Sequence, residues 1–150
     1  MSRRKRIPVE EWVDYRFRPT VWYPSHSAWW SDGPVDVEKE HKGSLDITLL
    51  VALVEPIKGV CHGELQVISD HVPEQWGTGL FNYHSESGSD ERMFSGAVWT
   101  SEVGVLGLLM LLMGERPVEL FARGTIFKYR KAMVRSFGWA VVDHPDLADM

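Results

Sequence analysis

Gly59-Val60-Cys61-His62-Gly63 sets the chain's lone thiol beside a histidine and between two glycines. The G-x-C-x-G spelling is that of a nucleophile elbow, where a sharp strand-to-helix turn lifts the nucleophile above a sheet and leaves amides below it for an oxyanion. Here Glu64 to Ser69 reads as strand, not helix. Neighbours in a strand point to opposite faces, so Cys61 and His62 are not expected to act as nucleophile and base together. A buried structural thiol is the better account of Cys61, and no catalytic residue is assigned.

The six histidines (His26, His41, His62, His71, His84, His144) raise the question of a metal. None stands two, three or four residues from another, the spacings that aim two imidazoles at one ion. A site assembled from separate strands, such as His62, His71 and His84, has no support in spacing, so neither metal nor cofactor is expected. Gly77-Thr78-Gly79 lacks the third glycine of a phosphate cradle, because position 82 is Asn. Arg123, Lys128, Arg130, Lys131 and Arg135 are interleaved with Phe127 and Tyr129, the mixture used to hold nucleic-acid strands. The alternation is broken, which puts the charges on both faces; a solvated edge pair, protected by its cations, explains them better.

Aromatic residues are the strongest anomaly. Of seven tryptophans, four fall within the first thirty residues (Trp12, Trp22, Trp29, Trp30), joined by Tyr15, Phe17 and Tyr23 and punctuated by Pro19 and Pro24. One reading is a lid, an irregular arm whose rings cover the open face of a sheet. The other is an exposed platform formed by Trp22, Tyr23, His26, Trp29 and Trp30, since large rigid rings dominate interface energetics at low entropic cost.

These residues are positioned by elements that the hydrophobic pattern outlines. A greasy helix spans 101–113. Ser101 is its N-cap, Val103 to Met113 has no polar side chain, and Gly114 and Pro117 close it. Eleven apolar residues rise about 16 Å, half a bilayer core, so a buried helix is expected and not a membrane span. The stripe Ser101, Gly104, Gly107 would let a sheet approach closely. Pro8 followed by Glu10 and Glu11, with Val9, Trp12, Val13 and Phe17 at helical spacing, suggests a short N-terminal helix ending before Pro19, although Tyr15 and Phe17 would also alternate as a strand. Thr20 to Tyr23 is β-prone and Pro24 to Pro34 reads as a loop.

Leu45 to Val54 is the clearest strand, with Leu45, Ile47, Leu49, Val51 and Leu53 on one face. Val60 to Ser69 returns as its hairpin partner. Asp70 to Gly79 reads as irregular, Leu80 to His84 as a strand, Ser85 to Arg92 as a polar tip and Met93 to Thr100 as a strand feeding the helix. Val118 to Arg123 with Thr125 to Val134 forms an antiparallel pair, Phe137 to Val142 a last strand, and Pro145 to Met150 an acidic tail. Strand 93–100, the helix and strand 118–123 could form a crossover. The fold class expected is therefore α+β: a mainly antiparallel twisted sheet of about seven strands on one buried helix, sandwich or open barrel, in a single domain over 1–150.

Composition narrows the function. Net charge is −5, yet four of the sixteen cations lie in the basic leader 1–6; residues 7–150 carry 12 positive and 21 negative charges, a net of −9. An acidic body argues against general nucleic-acid binding and suits a basic protein partner. The leader has no apolar segment behind it, and the lone Cys61 cannot form an intramolecular disulfide, so the cytoplasm is the default location. The sequence is thus read as a non-catalytic interaction protein of the inhibitor or immunity type. One alternative is a small enzyme or carrier with an apolar ligand between sheet and helix, Glu102 marking the helix start. Another is nucleic-acid binding through 123–135.

Overall fold

The alternation in Leu45–Leu53 is the seed of the architecture: its five apolar side chains turn inward, and every neighbouring strand adds inward residues at the same levels. The computed structural model describes residues 12–30, 41–69, 78–85 and 90–142, with side chains except at 27–30 and 41–43. Its strands are β1 (Trp12–Trp30), β2 (His41–Ile57), β3 (Val60–Ile68), β4 (Gly79–Ser85), β5 (Arg92–Trp99), β6 (Val118–Thr125) and β7 (Lys131–Val141), with helix α1 (Glu102–Met113) between β5 and β6. They close into a barrel in the order β1-β2-β3-β5-β4-β7-β6. Closure removes the open sheet face, so no face is left for an aromatic lid to cover. The sheet is mixed: β5 folds back between β3 and β4, parallel to β3, and the other described pairs are antiparallel.

The interior is filled by rings. Tyr15, Phe17, Phe81, Phe94 and Phe127 are buried and meet edge to face or tilted at 4.9–5.6 Å between centroids, an arrangement favoured by their quadrupoles. Gly63 and Gly96 make room for them: a Cβ at Gly63 would overlap the Phe94 backbone, and one at Gly96 would meet the Phe94 and Phe81 rings. Phe127, in the turn after β6, closes one end of the barrel, where its carbonyl accepts from Lys58 Nζ at 2.8 Å.

Helix α1 closes the other end. β5 runs up to that rim and β6 runs down from it, with β4 and β7 between them on one side and β3, β2 and β1 on the other, so the connection has to cross the mouth. This corrects the expected crossover: β5 and β6 are neither neighbours nor parallel. Ser101 caps the helix, its Oγ accepting from the Gly104 amide at 3.0 Å. Gly114 ends it at φ −77°, and the left-handed residue is Glu115 at φ 55°. The helix is not swallowed whole. Val105, Leu108 and Leu112 point into the barrel and are buried, while Val103, Leu106, Met110 and Met113 are exposed. Gly107 faces open space instead of receiving the sheet, and a Cβ at Gly104 would press on Thr100.

Three further expectations are corrected. Residues 12–17 are strand, not the end of a helix: Tyr15 and Phe17 alternate into the core and pair with Ala122 and Leu120 of β6. The Pro24–Pro34 loop is strand as far as Trp30. Thr125–Val134 and Phe137–Val142 are likewise one strand from 131 to 141, with Thr125 ending β6. The leader 1–6, Pro8–Glu11, most of 70–79, 86–89 and the acidic tail lie outside the described residues. Among those described, no helix is long and apolar enough to cross a membrane.

Candidate interaction surface

β1 and β2 are much longer than the barrel needs. β1 pairs with β6 only over Trp12–Phe17, and β2 pairs with β3 only from Asp46 onward. Among the described residues, therefore, 26–30 and 41–45 hydrogen-bond as strands only to one another, from His26↔Leu45 to Trp30↔His41. The result is a two-stranded ribbon that rises roughly 16 Å past the rim at about 3.3 Å per residue. Pro19 and Pro24 are tolerated here because β1 beyond Phe17 has a partner on one side, and a proline on a free edge costs no ladder bond.

The structure brings the five platform residues onto this arm. Trp22 is half-buried at its base, packed on the core and beside Leu112 and Pro117 across a cleft of about 490 Å³. Tyr23 and its neighbour Val21 are about half exposed. His26 is exposed and its Nδ1 lies 2.9 Å from the Ser44 carbonyl, so that contact requires Nδ1 to carry the proton. Trp29 and Trp30 stand opposite Lys42 and His41 in the backbone register; their side chains are outside the described set. Hydrophobic spacing gave no warning of the ribbon, because prolines and serines at 19–27 imitate a loop.

Other groups with chemical potential fall elsewhere. The expectation that Cys61 is buried fails. The register shifts between Val60 and His62 in both ladders, a bulge that leaves Cys61 exposed and His62 half-exposed, neither in the core. His62 Nε2 lies 3.4 Å from Glu91 Oε1. On the outer wall His62 and His84 are each level with Met93 of the intervening β5, along a groove of about 560 Å³ with Leu50 and Glu64. Among the described residues no three His, Cys, Asp or Glu side chains converge as metal ligands. Glu102 is exposed at the first helical turn, and Val105, Leu108 and Leu112 occupy the space between helix and sheet.

The basic cluster is better ordered than its sequence suggested. The turn 128–131 separates two strands, so Arg123 on β6 and Lys131 and Arg135 on β7 all face outward, and Phe127 alone turns in. The Arg135 guanidinium sits 4.8 Å over the Trp12 ring. On the adjoining β1, Arg16 donates to Glu119 at 2.6 Å, which raises the Arg16 pKa. Charge is thus segregated. The described side chains hold ten cations and nine anions, whereas the acidic excess lies in the connections, including Asp32, Asp36, Glu38 and Glu40 between the two arms of the ribbon.

The chain matches no protein-family model, no curated protein and no solved structure.

Proposed function

We propose that this protein is a non-catalytic interaction module that captures a basic protein partner on the β1–β2 ribbon. The observation that carries this reading is the pairing pattern: two strands leave a filled barrel and, among the described residues, continue with only each other for company. An unpaired strand edge is a template for an added strand, and the exposed Tyr23 and His26 beside it supply rigid contacts. The four carboxylates between Trp30 and His41 would steer a cation toward the same arm.

The test is a fluorescence titration with an extended peptide of alternating lysine and valine. Binding should weaken steeply with salt and fall about tenfold or more in the Tyr23→Ala, Trp29→Ala, Trp30→Ala variant, a loss expected when aromatic anchors are removed. The melting midpoint should barely move. Unchanged affinity in that variant, or a collapse of stability, would overturn the assignment.

Nucleic-acid binding remains a second reading because Arg123, Lys131 and Arg135 share the outer wall with the half-exposed Phe121. A salt-titrated shift assay with single-stranded oligonucleotides decides it, and Arg123→Ala with Arg135→Ala should abolish any shift seen.

A further inference from the structure

Helix α1 poses a physical problem that the single chain leaves unsolved. From Val103 to Met113 it has no polar side chain on any face, and a helix apolar all round belongs in an interior. Yet the described residues cover only one face. Val103, Leu106, Met110 and Met113 are 79%, 43%, 72% and 66% exposed. Together they present on the order of 400 Å² of contiguous apolar surface, the size at which patches on soluble proteins mark contact sites.

We propose that this face is the interface of a two-fold symmetric homodimer, with α1 crossing the α1 of a second copy in antiparallel fashion. Three observations favour a second copy over another occupant. The first is the order of sizes along the face. Val103, Gly107, Met110 and Gly114 lie on one line at helical spacing, opposite the buried Val105, Leu108 and Leu112. A two-fold axis midway between Gly107 and Met110 sets each Met110 against the other copy's Gly107 and each Val103 against its Gly114. Large meets small at every level, which is what an isologous contact requires. The second is Gly107 itself. Glycine weakens a helix, and a Cβ built here meets no atom within 4 Å, so the fold of one chain gives no reason for it. A close crossing gives one. The third is area and charge. Two such faces with the bordering Leu109, Leu111 and Pro117 reach about 1,000 Å² of total buried surface, the lower bound for a specific interface. No charge is desolvated between Val103 and Gly114, and antiparallel helix dipoles attract.

A lipid surface fits less well, because interfacial helices present lysine and arginine on the polar face and α1 has none. The sequence at 143–150 adds three aspartates.

Sedimentation of the full chain over a concentration series tests the proposal. The protein should pass from monomer to dimer, with association unchanged or tightened by salt. Gly107→Leu should keep the monomer fold and raise its helix content while weakening the dimer about tenfold or more. Met110→Glu, which adds a charge at an exposed site, should leave a folded monomer at every concentration. A wild-type chain that stays monomeric, whether bare or covered by its own residues 70–77, overturns the proposal. So does a dimer that survives both substitutions.

Discussion

Tyr15 shows how one side chain can tie the barrel closed and set its response to pH. Its hydroxyl donates to the Thr125 carbonyl at 2.7 Å across 110 residues of sequence, joining the first strand to the sixth. Burial pushes its pKa well above the ordinary value near 10, because ionisation inside the aromatic core would strand a charge. The folded state therefore holds this proton more tightly than the unfolded chain. The corresponding stability is complete below pH 10 and is lost as pH rises toward the folded pKa. Tyr15→Phe should cost about 1–3 kcal/mol at neutral pH through the lost hydrogen bond, and its alkaline unfolding curve should be shallower than that of the parent. Urea titrations at a series of pH values would reveal both. A second residue-scale effect lies in the turn 128–131, where Tyr129 and Arg130 sit at φ 52° and 67°. Two-residue hairpin loops of this kind favour Asn-Gly. Arg130→Gly should stabilise the protein by about 1 kcal/mol, the usual steric penalty for a side chain in left-handed backbone, read as a rise in the denaturation midpoint.

At the scale of elements, legibility followed the locality of the signal. Leu45 to Leu53 announced β2 because both the alternation and its inward face lie within nine residues. Ser101 and the uncharged run behind it announced α1 for the same reason. β1 escapes a local reading because Val9, Trp12, Val13 and Phe17 imitate helical spacing, and because two prolines obscure a strand whose far half has one neighbour among the described residues. Arg135 and Ser136 break the apolar pattern of β7 in two, yet a strand can carry such polar residues where its outer face meets water. The helix separates its two faces most sharply. Leu108→Ala, at a buried position, should cost about 2–5 kcal/mol. Leu106→Ala, two positions earlier and exposed, should cost less than about 0.5 kcal/mol in the monomer. Denaturant unfolding at low protein concentration compares them; equal losses would mean that both faces are packed within one chain.

For the molecule as a whole, closure was the property least visible in the sequence. It depends on β1 meeting β6 more than a hundred residues away and on β5 inserting between β3 and β4, pairings that leave no local trace. Closure also redistributes charge. The barrel is nearly neutral with a basic wall, and the acidic excess that dominates the composition belongs to the connections, above all the one joining the ribbon's two arms. The proposed capture of a basic partner rests on that division: the barrel is filled with aromatic rings, whereas the ribbon presents, among the described residues, a strand edge paired on one side only. Amide hydrogen exchange with and without the lysine–valine peptide tests this most directly. Bound peptide should slow exchange along β1 from Arg18 to Trp30 and leave the buried strand centres at 47–53 and 65–67 as they were. Protection confined to β6 and β7, or to α1, with the ribbon unchanged, would contradict it.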